Sequence, residues 1–334
     1  MKQIWVYAEQ QLGRWTDATR DLLLAARKLA DRLQGELVAV VCGWEVSSLL
    51  PELQQWGVQR VLLAESDAFR FYNPLAFTEA LMQMMDRFGC PEILLFSATY
   101  LGRDLAPAVA ARLGTGCAAD CCALDLDAEG NLLQIVPGLG GTIFATIVTP
   151  NHRPQVATVK PGMLEVDSKD INAASSFEVA KVEIPVLPAS SAVQLRETRQ
   201  KPPRKAALET AQRVVAGGAG IGGKEGWALL EELAAVMEAA VGATRPAVDE
   251  GWAEHDQMIG QSGKTVRPEL YVGIGISGDM MHTVGIKGKG IRVAINQDPK
   301  APIFKQVDYG IVADYQEIVP VLIEELKKRK SIVR

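Results

Sequence analysis

The feature that most constrains the fold of this chain is an alternation of short, continuously apolar segments with longer amphipathic ones. Ile4–Ala8 and Glu36–Val41 have the composition of buried strands, and the apolar residues of the segment 16–33 between them recur at helical spacing, with Thr16 as a possible cap. The same unit repeats as a helix near 46–56, a strand at 60–63, a helix near 73–88, a strand at 92–96 and a helix near 104–113. Alternation of this kind predicts an α/β fold with a doubly wound parallel sheet.

The pattern changes in the second quarter of the chain. From Cys121 to about Val186 the sequence contains short β-rich pieces such as Thr142–Val148 and Gln155–Val159. We expect these pieces to extend or cover the parallel sheet.

A domain boundary is predicted near residue 200. Leu195–Thr210 is charged, contains Pro202–Pro203 and lacks apolar periodicity, which is typical of a linker. We therefore divide the chain into an N-terminal α/β domain at 1–195, a linker at 196–210 and a second α/β domain at 211–334.

The second domain is predicted to be Rossmann-like. Its expected elements are a strand at Arg213–Ala216, a helix from about Glu225 to Val241, strands at Leu270–Ile274, Ile291–Ile295 and Tyr309–Val312, and a closing helix near Gln316–Lys328.

Composition excludes several classes of function. The formal net charge of −5 argues against a nucleic-acid partner, because phosphate binding needs a basic surface. No apolar run is long enough to span a membrane, and the chain opens directly on a predicted strand, so we expect a cytoplasmic protein without membrane insertion. The five cysteines form no C-x-x-C pair and the three histidines are far from them in sequence, so we expect no metal site and no disulfide framework.

The strongest local signal is the G-x-G-x-x-G motif at Gly273–Gly278. It follows a predicted strand and precedes a predicted helix at Asp279–Ile286, the context in which glycines let a backbone approach a pyrophosphate. Asn296 and Asp298 follow about 20 residues later, where a ribose would be met. The alternative is a tight turn between strand and helix with no ligand.

A second glycine cluster, Gly217–Gly223, also follows a predicted strand. Two glycine-rich strand ends side by side would form a crevice at the carboxyl edge of the sheet, the usual ligand position in open α/β folds. A flexible turn explains this cluster equally well.

Two polar side chains in apolar surroundings remain open to two interpretations. Arg245 is either a surface ion-pair residue or a buried cation that pairs with an anion. A lone helical histidine such as His282 is usually a structural group, and a functional role needs further support.

Several separated segments, in this order, resemble electron-transfer flavoprotein alpha subunits over essentially the whole chain. They are Arg153–Gln155, Thr158–Gly162, Val241–Arg245, Gly260–Lys264, Pro268–Gly278 with His282, Val293–Asn296, Asp298–Pro299, Ala301–Phe304 and Asp308–Asp314. The resemblance implies FAD as cofactor, held mainly by the second domain, and a first domain that packs against the beta subunit of a heterodimer. It also implies electron exchange with a flavin-dependent dehydrogenase such as an acyl-CoA dehydrogenase, either as a simple carrier or within an NADH-dependent bifurcating complex.

The resemblance also implies a role for individual residues, with no catalytic acid, base or nucleophile among them. Arg245 would lie over the isoalloxazine ring, and His282 would reach the O2 side of that ring. Ser262 would form a hydrogen bond to flavin N5, and Gln261 and Gly263 lie in the same loop as Ser262. Ser277 and the Gly275–Gly278 turn would hold the pyrophosphate, and Asn296 and Asp314 would contact the adenosine. A fixed cation and a donor beside N1–C2–O2 favour the reduced ring, whose negative charge develops there.

Three positions depart from the family pattern, and two other functions compete. Met281 stands where the family commonly has Gln, Ala219 where it has Arg, and Gln297 where Lys is frequent. The main alternative is a nicotinamide-dependent dehydrogenase that uses the Gly273–Gly278 turn. The other is a nucleotide-binding regulator without redox chemistry.

Overall fold

The computed structural model describes residues 1–11, 13–138, 143–164, 173, 174, 176–185, 195–198, 208 and 211–332. The chain forms two compact units, one of Met1–Gly138 and Phe144–Arg199, and the other of Leu139–Ile143 and Gln200–Arg334. Most of the predicted linker, including Pro202–Pro203, lies outside the described residues.

The first unit is built on strands that alternate with four helices. The helices are α1 Asp17–Arg32, α2 Leu50–Gln55, α3 Pro74–Phe88 and α4 Tyr100–Leu113. The strands are β1 Gln3–Tyr7, β2 Gln10–Gln11, β3 Arg14–Trp15, β4 Glu36–Gly43, β5 Arg60–Glu65, β6 Ile93–Ser97, β7 Cys117–Cys121, β8 Ala123–Leu126, β9 Leu132–Gly138, β10 Ile143–Ile147, β11 Gln155–Val159 and β12 Glu178–Lys181.

Seven of these strands form one parallel sheet in the order β12-β5-β4-β1-β6-β11-β7. Apolar residues of α1 and α2 pack on one face of this sheet, and those of α3 and α4 pack on the other. The predicted doubly wound α/β architecture is therefore confirmed. Helix α1 begins as predicted, because the Thr16 side chain accepts a hydrogen bond from the Thr19 amide at 3.1 Å.

The β-rich pieces form strands of two different sheets. Strand β11 lies inside the large sheet between β6 and β7, whereas β8, β9 and β10 form a separate three-stranded sheet. The predicted strand at Thr142–Val148 corresponds to β10, although Thr142 itself lies outside the described residues.

The second unit contains a five-stranded parallel sheet in the order β14-β13-β15-β16-β17. Its strands are β13 Arg213–Gly217, β14 Ala240–Ala243, β15 Leu270–Ile274, β16 Ile291–Asn296 and β17 Tyr309–Val312. Its helices are α5 Lys224–Met237, α6 Arg245–Asp249, α7 Met280–Thr283 and α8 Tyr315–Ile332.

The two faces of this sheet are covered differently. Helices α5 and α8 bury Trp227, Leu230 and Ile323 on one face. Irregular segments that contain Ile259 and Ile303 cover the other face.

The predicted extents of two helices in this unit are wrong. The helix expected from Glu225 to Val241 ends at Met237, because Glu238 adopts a left-handed conformation (φ 53°) and the chain turns into strand β14, which contains Val241. The helix expected at Asp279–Ile286 is only the four-residue α7. The main chain from Gly285 onward leaves the helix to pair with the segment at Val266.

Candidate functional site at the carboxyl edge of the second sheet

The predicted site residues follow the carboxyl ends of parallel strands. Because β13, β14, β15 and β16 run in the same direction, the loops after them begin at one edge of the sheet. The arrangement brings the two glycine clusters and the Arg245 loop to neighbouring positions along this edge.

The two glycine clusters contact each other through their backbones. The Gly218 amide donates to the Ile274 carbonyl and the Gly220 amide donates to the Gly275 carbonyl, each at 2.9 Å. A Cβ on Gly218 would lie 2.3 Å from the Gly275 oxygen. Gly275 itself has a positive φ of 62°. The two glycine-rich strand ends therefore lie side by side, as predicted, and glycine is required for their close backbone contact.

A cleft of about 260 Å³, counting its open mouth, lies beside these loops. Its lining residues come from the loops after β13, β15, β16 and β17: Gly220, Gly275, Ile295, Asn296, Gln297, Ala313, Asp314 and Tyr315. Most of this volume is open space at the mouth, so the cleft is an open depression where these segments meet and not an enclosed pocket.

Asn296 and Asp314 both stand in the cleft wall, half-buried. The Asn296 amide donates to the Ile276 carbonyl at 2.9 Å and its oxygen accepts from the Asp298 amide. The Asp314 carboxylate accepts from the Gln316 amide at 2.8 Å at the start of α8. Each residue therefore fixes the local backbone, and Asp314 offers a carboxylate suited to sugar hydroxyls.

Arg245 is an exposed residue at the first position of α6. Its Nε lies 3.4 Å from a carboxylate oxygen of Asp249, and both side chains are largely exposed. The surface ion-pair interpretation is therefore correct, and the buried-cation interpretation is wrong for this structure. The guanidinium nevertheless stands at the carboxyl edge, directly after β14.

The preceding residue, Thr244, was not predicted as a site residue. Its side chain is 7% exposed, and its hydroxyl has no hydrogen-bond partner within the part of the chain that the structure describes. A buried hydroxyl without a partner is costly, and a water or a ligand bound at this edge would satisfy it.

The other predicted site residues lie in two adjoining segments. Ser262 is exposed between half-buried Gln261 and Gly263, and the Gln261 amide donates to the Met281 carbonyl at 2.8 Å. Ser277 is also exposed, whereas Gly278 is buried against the backbone of Ile303. Both serine hydroxyls are thus accessible to a ligand.

His282 is buried, and both its ring nitrogens have partners. Nδ1 lies 3.0 Å from the Ile259 carbonyl oxygen, and Nε2 lies 2.8 Å from the Tyr271 hydroxyl. Burial lowers the pKa of His282 to about 4, so the ring is neutral at physiological pH. The two hydrogen bonds make His282 a link between segments. Tyr271 is, after Thr244, the second residue near the site that the sequence analysis did not identify.

The residues present fit FAD. The edge combines an open cleft, an unsatisfied buried hydroxyl at Thr244 and a cation at Arg245. It also has two exposed serines. Within the described ranges, no cluster of three or more His, Cys, Asp or Glu side chains is arranged to hold a metal. The described helices include none with the length and apolarity needed to cross a membrane.

Comparison with known proteins agrees with this geometry. Residues 4–187 match the electron transfer flavoprotein domain, and residues 207–287 match the electron transfer flavoprotein FAD-binding domain. The chain is 40% identical over 329 residues to an electron transfer flavoprotein subunit alpha from Thermoanaerobacterium thermosaccharolyticum, with 98% of this chain and 99% of the relative covered. It is 39% identical to a protein FixB from Clostridium saccharobutylicum, with 98% and 97% covered. It is 37% identical to an electron transfer flavoprotein subunit alpha from Megasphaera elsdenii, with 99% and 98% covered.

The family matches cover both units, and the curated relatives align from end to end. The chain belongs to the electron transfer flavoprotein alpha-subunit family, whose role is electron transfer and whose cofactor is FAD.

Proposed function

We propose that the chain binds FAD across the carboxyl edge of the β13–β17 sheet and carries electrons as one subunit of a heterodimer with an electron-transfer flavoprotein beta subunit. The observation that carries this proposal is the cleft beside the paired glycine loops, with the unsatisfied Thr244 hydroxyl at the same edge. We place the boundary between the two domains in the segment 196–210.

In this proposal the adenosine half of FAD occupies the cleft. Asp314 accepts hydrogen bonds from the ribose, and Asn296 holds the Gly275 turn in place through its bond to Ile276. The pyrophosphate lies along the Gly275–Gly278 turn within reach of the exposed Ser277 hydroxyl.

The isoalloxazine half lies over the loops after β14 and before β15. FAD supplies a ring that takes up and releases electrons, while the chain binds and orients it. Arg245 places a positive charge beside the ring, and Ser262 offers a hydroxyl from the Gln261–Gly263 loop. A charge and a hydrogen bond fixed in advance stabilise the reduced ring more than the oxidised one.

We further propose that the redox partner is a flavin-dependent dehydrogenase of the acyl-CoA dehydrogenase type, and that the heterodimer works in the cytoplasm. The proposal is supported by family membership. Counting flavins per heterodimer, and adding NADH, separates a simple carrier from a bifurcating complex.

The nicotinamide alternative has weaker support. The segment 207–287, which includes the Gly273–Gly278 turn, matches a FAD-binding domain, which favours FAD over a nicotinamide cofactor.

The test is the identity of the bound cofactor. The chain co-purified with its beta subunit should be yellow and should release FAD on denaturation. A colourless complex that takes up NAD but not FAD would overturn the proposal in favour of the dehydrogenase.

A further inference from the structure

His282 joins three segments that surround the proposed flavin site. It belongs to α7, its Nε2 meets the Tyr271 hydroxyl of β15 at 2.8 Å, and its Nδ1 meets the carbonyl of Ile259 at 3.0 Å. Ile259 directly precedes the loop that contains Gln261 and Ser262. The histidine and the tyrosine are both almost fully buried, at 5% and 1% exposure.

The partners determine where the proton lies. A carbonyl oxygen can only accept, so Nδ1 must carry hydrogen and donate to Ile259. Because the buried ring is neutral, Nε2 then has a lone pair and no hydrogen, and the Tyr271 hydroxyl must donate to it. The charged groups that face this pair are Asp279 at the start of α7 and Arg292 of β16.

Glycines allow the backbone to close around this pair. A Cβ on Gly273 would lie 3.0 Å from Cε1 of Tyr271, and one on Gly260 would lie 2.2 Å from the Met281 oxygen. Gly273 begins the G-x-G-x-x-G motif, yet its contact is with the tyrosine two residues before it. The first glycine of the motif therefore makes room for Tyr271.

Backbone bonds tie the same segments together on both sides of the histidine. The Gln261 amide donates to Met281, and the Val266 amide donates to Gly285, each at 2.8 Å. The first bond joins the loop 260–264 to α7, and the second joins the segment after that loop to the residues just beyond α7.

We infer that Tyr271 is a positioning residue: its hydroxyl holds His282 as a neutral, Nδ1-protonated imidazole that locks the Gln261–Ser262–Gly263 loop onto α7 and β15. The inference rests on the proposed FAD site only in assuming that the Gln261–Gly263 loop contacts FAD. The tautomer of His282 follows from its two hydrogen bonds within the chain.

The first test is nitrogen-15 NMR of the histidine ring, with and without FAD. The chain has three histidines, so His282→Gln assigns the signal. We expect the Nδ1–H tautomer, unchanged between pH 5.5 and 8. An Nε2–H tautomer, a titration in that range, or a change of tautomer on adding FAD would overturn the inference, because each requires Nε2 to carry a hydrogen.

The second test is Tyr271→Phe, which removes the hydroxyl and keeps the ring. Hydrogen exchange at Gln261–Gly263 should accelerate and FAD affinity should fall, each about tenfold, the size expected when one buried hydrogen bond is lost. The control is Tyr7→Phe, which alters a buried tyrosine of the first unit and should change neither quantity.

The outcomes separate this inference from the proposed function. If wild-type protein fails to bind FAD but shows the Nδ1–H tautomer, the proposed function fails and the histidine's state stands. If FAD binds and Tyr271→Phe leaves both loop exchange and affinity unchanged, the positioning role of Tyr271 is wrong.

Discussion

At the scale of single residues, the Thr244 hydroxyl should destabilise the FAD-free chain and strengthen the binding of FAD. Its hydroxyl is buried without a partner among the described residues, which costs about 1–3 kcal/mol for a group of this type. A ligand that bonds this hydroxyl would remove that cost.

We therefore predict opposite effects of Thr244→Val on stability and on binding. The FAD-free chain should unfold at the same or a higher temperature, while FAD affinity falls about tenfold, because one hydrogen bond is lost only in the complex. Calorimetry and FAD titration measure the two effects. Thr244→Ser keeps the hydroxyl and should retain wild-type affinity; equal affinity in Thr244→Val would exclude contact with FAD.

Arg245 should affect the flavin potential and leave folding unchanged. Its ion pair with Asp249 is solvent-exposed, so Arg245→Ala should hardly change the melting temperature. Loss of the cation should lower the flavin midpoint potential by tens of millivolts, since ~60 mV corresponds to a tenfold change for one electron. Arg245→Lys should restore part of the shift. An unchanged potential in Arg245→Ala would remove the guanidinium from the site.

His282 should make stability depend on pH in acid. Burial depresses its pKa to about 4, below the usual value near 6.5, so the unfolded chain binds a proton that the folded chain does not. This contribution is fully present above about pH 6.5 and is lost as the pH falls towards 4. Urea unfolding of wild type and His282→Gln should show a steeper decline in the wild type between pH 6.5 and 4. Parallel curves would contradict a buried neutral histidine.

The residue types of the site were predictable, but their partners were not. Arg245, Ser262 and His282 follow from motifs that resemble a family. The bond between Tyr271 and His282 joins residues whose contact depends on how α7 folds back onto β15. No local pattern encodes such a contact, and the same holds for the unpaired Thr244 hydroxyl.

At the scale of elements, the two glycine loops depend on each other for space. Gly275 and Gly222 both have positive φ, but a Cβ on Gly275 would lie 2.8 Å from the backbone of Gly220, whereas one on Gly222 would meet nothing within 4 Å. The first position therefore combines backbone strain with a clash between loops, and the second has strain alone.

We predict that Gly222→Ala lowers the free energy of unfolding by roughly 1–2 kcal/mol, the cost of a left-handed residue with a Cβ. Gly275→Ala should cost more and should also weaken FAD binding, because the clash displaces the loops that border the cleft. Denaturant unfolding and FAD titration of both variants test this. Equal losses in the two variants would mean that the loops do not constrain each other.

Element types were largely predictable wherever a strand is a continuous apolar run. The failure at α5 has a physical cause: Val241 continues the helical spacing of apolar residues beyond Met237. Glu238 adopts a left-handed conformation at that point. Gly and Asn are the residues that usually predict this conformation from sequence, and a glutamate does not. Strand β14 was missed for the same reason.

At the scale of the whole molecule, the chain divides its tasks between two compact units. The first is a doubly wound sheet with helices on both faces, and the second has the proposed cofactor site at the carboxyl edge of its sheet. We expect FAD binding to protect the second unit from unfolding through direct contacts.

The most direct measurement is a crystal structure of the chain with its beta subunit and FAD. The account predicts the adenosine in the cleft beside Asn296 and Asp314, and the flavin ring against the loops that contain Arg245 and Ser262. FAD bound to the first sheet, or density away from the carboxyl edge of β13–β17, would contradict it.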